Sequence, residues 1–97
     1  MYAWVIYDIR KNKTRSRVAK RCKYYGLARV QKSVFLGKLK GKWVKMLHVE
    51  LSNAINQRTD RLFVVPMNDE NFSRVLQTGS PPALPNMVND SKMRFLQ

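Results

Sequence analysis

YAWVIYDI, residues 2–9, is an unbroken run of aromatic and β-branched side chains with a single acid near its end. Neither Gly nor Pro interrupts it, so it reads as a strand. Alternation puts Ala3, Val5, Tyr7 and Ile9 on one face and Tyr2, Trp4, Ile6 and Asp8 on the other. Both faces are apolar. The stretch RLFVV, residues 61–65, repeats the pattern with Leu62 and Val64 against Phe63 and Val65, and Pro66 is expected to stop it. Helices can cover only one face of a sheet, and a bare apolar face of this size does not meet water. The sequence therefore predicts a second copy packed on the other face or edge, as a homodimer with two-fold symmetry.

Outward from this strand the elements alternate. A helix follows, capped by Asn12 or Thr14, with Val18, Ala19, Cys22 and Tyr25 on its inner face and Arg17, Lys20, Arg21 and Lys23 on a basic outer face. Gly26 closes it. Residues 28–36, ARVQKSVFL, read as a second strand, extended or kinked through Gly37–Leu39. A second helix spans about Lys42–Asn56, with Trp43, Leu47, Leu51, Ala54 and Ile55 inward. After the 61–65 strand, Asp69–Phe72 forms a helical turn and Arg74–Thr78 a short final strand. This order predicts an α+β domain over residues 1–78: an α/β plait, an antiparallel sheet with both helices on one face. Residues 79–97, with SPPALPN, read as an extended tail reaching the partner protomer.

Charge narrows the function. The 97 residues carry a net charge of +13, and residues 1–49 hold fourteen Lys or Arg against one acid, Asp8. Residues 50–97 hold five of each sign. A charge confined to one half predicts a positive face, and phosphate backbones are its commonest partner. An anionic membrane would require a basic amphipathic helix with exposed large apolar groups, and no apolar run reaches the roughly 20 residues of a membrane span. The single Cys22 fits a reducing compartment and excludes an internal disulfide; one Cys and one His exclude a Cys/His zinc site. A cytoplasmic protein is expected.

Asp8 stands where a strand hands over to a basic loop. One reading is a salt bridge to Arg10, Arg15 or Arg17, or an Asx turn. The other is a divalent-metal ligand, because Mg²⁺ is often held by one or two carboxylates with water and phosphate oxygens completing the octahedron. A dimer that joins two Asp8 side chains would supply two. Arg15, Arg17, Arg29 and Lys32 follow strand ends or open a helix, where free backbone N–H groups also favour anions. Ser33 is a candidate phosphate donor and Phe35 a candidate base-stacking platform, although strand aromatics such as Phe35 and Tyr7 more often pack in a core. There is no Walker A, GxGxxG or Ser/His/Asp pattern.

YDI at 7–9, TRSRV at 14–18, Gly26 and RVQKSVF at 29–35 together resemble the CRISPR-associated protein 2 family over roughly residues 1–78. The resemblance implies a ferredoxin-like fold and a homodimer. It implies a place in the complex that inserts spacers into CRISPR arrays, with the CRISPR-associated protein 1 integrase and a DNA duplex as partners. It further implies metal-dependent endonuclease activity on RNA or DNA, dispensable for integration. Position by position, Asp8 matches the family's aspartate that holds Mg²⁺ or Mn²⁺ across the dimer interface, and Tyr7 its catalytic neighbour. Arg15, Arg17, Arg29, Ser33 and Phe35 match the nucleic-acid-contacting positions. RKNK at 10–13 departs from the acidic or small polar residues of many relatives, which favours phosphate contact there. The competing reading is a stand-alone toxin-like endoribonuclease of the virulence-associated protein D type. An RNA-recognition module is disfavoured, because its strand needs two or three exposed aromatics and RVQKSVFLGKL offers one.

Overall fold

The doubly apolar strand, β1 (Tyr2–Asp8), lies in the interior of the sheet, where both of its edges are paired. The computed structural model describes residues 1–80. In chain order β1 is followed by α1 (Asn12–Tyr24), β2 (Ala28–Gln31), β3 (Val34–Lys38), α2 (Gly41–Ala54), β4 (Arg61–Met67) and α3 (Asp69–Ser73). The four strands form one sheet in the order β2-β3-β1-β4, with every neighbouring pair antiparallel. This is the expected ferredoxin-like α/β plait. Val5, Tyr7 and Phe35 from the sheet, and Ile9 just past β1, meet Val18, Ala19, Cys22, Leu47 and Leu51 from the two long helices in the main core.

The path to that plait differs from the expected one. Residues 28–36 are not one strand but most of a hairpin, reversing at Lys32–Ser33 and running on to Lys38. The turn lacks the Asn-Gly or Gly-Gly signal that marks most two-residue hairpins, so local chemistry does not advertise it. The hairpin supplies two strands, and Arg74–Thr78 is accordingly not a strand. Pro66 does not stop β4. It pairs with Ala3 inside an edge strand, where a missing N–H costs no ladder bond on the open side. In α2 the buried stripe is Val44, Leu47 and Leu51, and Trp43 lies on the solvent side at 37% exposure.

Helix α1 ends in a complete Schellman turn. The Gly26 N–H donates to the Lys23 carbonyl and the Leu27 N–H to that of Cys22, with Gly26 at φ +87°. Its start is less tidy. Lys11, not Asn12 or Thr14, is the N-cap and makes no side-chain bond, and the first turn holds no acid. Those N–H groups remain available to an external anion.

The second face of the sheet is half covered from within the chain. Asn68 caps α3 by accepting from the Asn71 N–H at 2.7 Å, and the helix lays Phe72 on Tyr2 with ring centroids 3.7 Å apart. Tyr2, Leu36 and Phe72 form a second buried cluster, flanked by Trp4, Met67 and Val75. Beyond it Ile6, Phe63 and Val65 stay exposed, Phe63 at 58%. Of the expected 79–97 tail, residues 81–97 lie outside the described residues, and with them its contact with a partner.

Candidate functional site

Strand parity splits Tyr7 and Asp8 between the two sheet faces at the end of β1. Tyr7 enters the core beside Phe35, and Asp8 stays exposed on the other face, opposite Arg61 and next to Ile6 and Phe63. Tyr7 and Arg15 hold the surrounding loops. The Tyr7 N–H donates to the Ser33 carbonyl at 3.1 Å, tying the hairpin turn to β1. The Arg15 guanidinium donates through Nη1 to the carbonyls of Ile9 (2.6 Å) and Arg10 (3.0 Å), bracing the β1–α1 loop from within α1. From the far side, Asp60 accepts the Arg10 N–H through Oδ1 and the Asn56 N–H through Oδ2. These backbone donors, Asn56 first, hold the Asp60 carboxyl below its usual range.

Among the described residues the Asp8 carboxylate makes no hydrogen bond or salt bridge: Arg15 is spent on the backbone, and neither Arg10 nor Arg17 pairs with it. The salt-bridge and Asx-turn readings are therefore not realised. Instead Asp8 borders a cleft of about 510 Å³ with Tyr7, Arg15, Arg29, Lys32 and Ser33. Six sequence-predicted positions thus converge from β1, α1 and the β2–β3 hairpin. Ile9, Asn12 and Ser16 complete the wall; the sequence marks none of them as a site residue, and the i, i+4 spacing of Asn12 and Ser16 at the helix start is the signal that could have.

Two expected positions stand apart. Arg17 lies exposed on α1 and does not line the cleft, since residues two apart on a helix do not share a face. Phe35 is fully buried, so the stacking-platform reading gives way to its core alternative. Its ring packs against Tyr7 and carries the Arg29 guanidinium at 5.1 Å, which makes it a support for two cleft residues.

Electrostatics assigns roles by exclusion. Burial raises the Tyr7 hydroxyl above its usual pKa, against opposing pulls from Arg29 and Arg15, with Cys22 adding to the rise. Tyr7 is therefore a neutral hydrogen-bond donor at physiological pH, not a base. Burial likewise pushes the Cys22 thiol up to about 12, which leaves it inert as a nucleophile. Among the described residues no three His, Cys, Asp or Glu side chains gather into a metal cage. Asp8 fits Mg²⁺ in donor type, as a free hard-oxygen ligand at the rim of a cationic cleft, and it is one ligand only.

The sequence matches the family model described as CRISPR associated protein Cas2 over residues 1–75. A CRISPR-associated endoribonuclease Cas2 of Chloroflexus aurantiacus is 35% identical over 79 residues, which cover 79% of this chain and 93% of that protein. A CRISPR-associated endonuclease Cas1/endonuclease Cas2 fusion of Thermoproteus tenax is 44% identical over 55 residues, 57% of this chain but only 21% of the fusion. The crystal structure of Streptococcus pyogenes Cas2 superposes with a TM-score of 0.69 at 28% identity, covering 81% of this chain and all (100%) of that one.

Proposed function

The chain belongs to the CRISPR-associated protein Cas2 family, and from that premise we propose that it acts as the dimeric, duplex-binding subunit of a spacer integration complex, with metal-dependent endonuclease activity on RNA or DNA. The observation that carries this reading is the position of Asp8, unpaired among the described residues, between a cationic cleft and a bare apolar patch. A second copy covers Ile6, Phe63 and Val65, and in doing so brings its own Asp8 toward the first. The indole N–H of Trp4, buried without an acceptor among the described residues, borders that patch and gains from a partner group. The two Asp8 carboxylates would hold Mg²⁺ or Mn²⁺, which would supply Lewis-acid activation of a phosphate and of water. Arg29 and Lys32 neutralise the phosphates, the open amides at the start of α1 add donors, and the Tyr7 and Ser33 hydroxyls donate to nonbridging oxygens. Arg15 positions the loop. The Thermoproteus tenax relative, named as Cas1 and Cas2 in one chain, supports a Cas1 integrase as the partner. The site of action is the cytoplasm, and among the described residues no helix is long and apolar enough to cross a membrane.

The test is Asp8→Asn, which keeps shape and removes one negative ligand per chain. Phosphodiester cleavage falls by orders of magnitude, because the metal is lost. Duplex binding survives, since removing a negative charge cannot weaken attraction to phosphate. Insertion of a short duplex into a repeat by the complex with Cas1 also survives, as expected of a scaffold. Loss of all three with the fold intact would falsify the scaffold reading, and unchanged cleavage would overturn the metal assignment.

A further inference from the structure

The helical side of the protein carries a second groove that the proposed function does not use. Twelve residues of α1 separate Asn12, in the first cleft, from Tyr24 at the helix end, about 18 Å at 1.5 Å per residue. There Tyr24, Tyr25 and Trp43 form a continuous aromatic run across α1 and α2, with successive centroids 5.9 and 6.5 Å apart. A groove of about 390 Å³ lies among them, with Met46 and Glu50 on its α2 wall. Each outer ring has a cation beside it: the Arg21 guanidinium is 4.5 Å from the Tyr24 centroid and the Lys42 ammonium 5.0 Å from that of Trp43. Tyr24 is nonetheless 76% exposed, so with Arg21 on one face the other meets solvent.

Residues 12–54 hold twelve Lys or Arg, three of them (Arg15, Arg29 and Lys32) in the first cleft, and one acid, Glu50, in this groove. That carboxylate is already engaged within the chain: it accepts from Arg21 Nε at 2.8 Å and Nη2 at 2.5 Å, and from the Tyr25 hydroxyl at 2.9 Å. Lys42 beside Trp43 and Lys20, one turn before Tyr24 on α1, remain exposed next to the aromatics. Aromatic faces interleaved with unneutralised cations match the stacked bases and phosphates of an unpaired strand. A duplex, whose bases are already stacked on one another, offers those rings nothing but backbone.

We infer that this groove binds a single nucleic-acid strand, with bases stacked on Tyr24 and Trp43 and phosphates on the surrounding lysines. The rings and lysines engage bases and phosphates, which the two kinds of strand share, so deoxy and ribo strands bind alike. The inference extends beyond the proposed function and needs neither Asp8 nor the first cleft.

The experiment measures anisotropy of labelled oligo-dU and oligo-rU, roughly twelve nucleotides long, and of a matched duplex, with the full chain at low salt. Tyr24→Ala and Trp43→Ala each weaken binding of both strands by roughly 5- to 150-fold, while duplex binding changes by less than about twofold. Trp43→Phe, which keeps a stacking face, retains most of the strand affinity. Asp8→Asn leaves strand binding intact, which separates this result from failure of the metal reading. Equal losses on strand and duplex, no loss on either, or a pronounced preference for one sugar would overturn the inference. So would a fall in oligomer mass in Tyr24→Ala by light scattering, because the groove would then join copies of the chain. Tyr24 is exposed enough that its variant tests the idea even where Trp43→Ala fails to fold.

Discussion

Arg15 and Arg17 look interchangeable in TRSRV, yet the fold gives them different tasks. Arg15 is bonded to two loop carbonyls, so Arg15→Ala removes charge-assisted bonds and costs about 1–3 kcal/mol, read as a lower urea midpoint. Arg17→Ala leaves the midpoint nearly unchanged and reduces the salt slope of duplex binding by about two units, as expected when each copy of the dimer loses one phosphate contact. The same urea titrations detect Cys22. Folding raises its pKa from 9.0 to about 12, so the fold favours the neutral thiol. That contribution is complete below about pH 9 and is lost as pH climbs toward 12, and Cys22→Ala flattens the decline; a residual slope from Tyr7, also raised, persists. Tyr7, Asp8, Arg15, Arg29, Lys32 and Ser33 were legible because they flank strand ends and turns, where side chains converge. Phe35 was not separable from a stacking residue, since only its pairing with Val5 on the helix-facing side decides its burial.

At the element scale, β1, the two long helices and the 61–65 strand were legible from period and breakers, and Gly26 from its place after the α1 pattern. The hairpin was hidden because Lys32–Ser33 carries no turn signal, and a bulge between Arg29 and Gln31 breaks the alternation beside it. Trp43 was assigned inward because a large aromatic at the head of an apolar stripe fits the period. Val44 takes that position, one residue on, and frees the ring for the surface. Gly37 shows what the hairpin demands. A Cβ there would lie 2.6 Å from Leu27 Cδ2, 3.0 Å from Leu27 Cα and 3.1 Å from the Gly26 carbonyl oxygen. The leucine tip can move, but the backbone atoms belong to the turn that ends α1. Gly37→Ala therefore costs about 1–3 kcal/mol in urea unfolding, through overpacking of β3 against that turn. A variant as stable as the parent would show that the turn yields.

For the whole molecule the two features that decide behaviour are the charge of one half and the apolar patch left by α3. The charge was countable in the sequence. The patch was legible only as an excess of apolar side chains, because nothing local says that Phe72 returns to cover Tyr2 and Trp4 while missing Ile6 and Phe63. A dimer built on that patch contacts roughly six to ten phosphates, so duplex affinity drops by about 10³–10⁵ between 50 and 200 mM salt. Phe63→Asp tests both features at once. The side chain is 58% exposed, so the substitution leaves the chain folded by circular dichroism. It does, however, place a charge in each half of the proposed interface, where the two would meet across the axis without compensation. Light scattering at micromolar concentration then reports a monomer, the salt slope falls to about half as each molecule offers half the phosphate contacts, and cleavage disappears because each Asp8 loses its counterpart. A variant that remains a dimer places the two-fold axis elsewhere. A monomer that still cleaves shows that one Asp8 per chain holds the metal unaided.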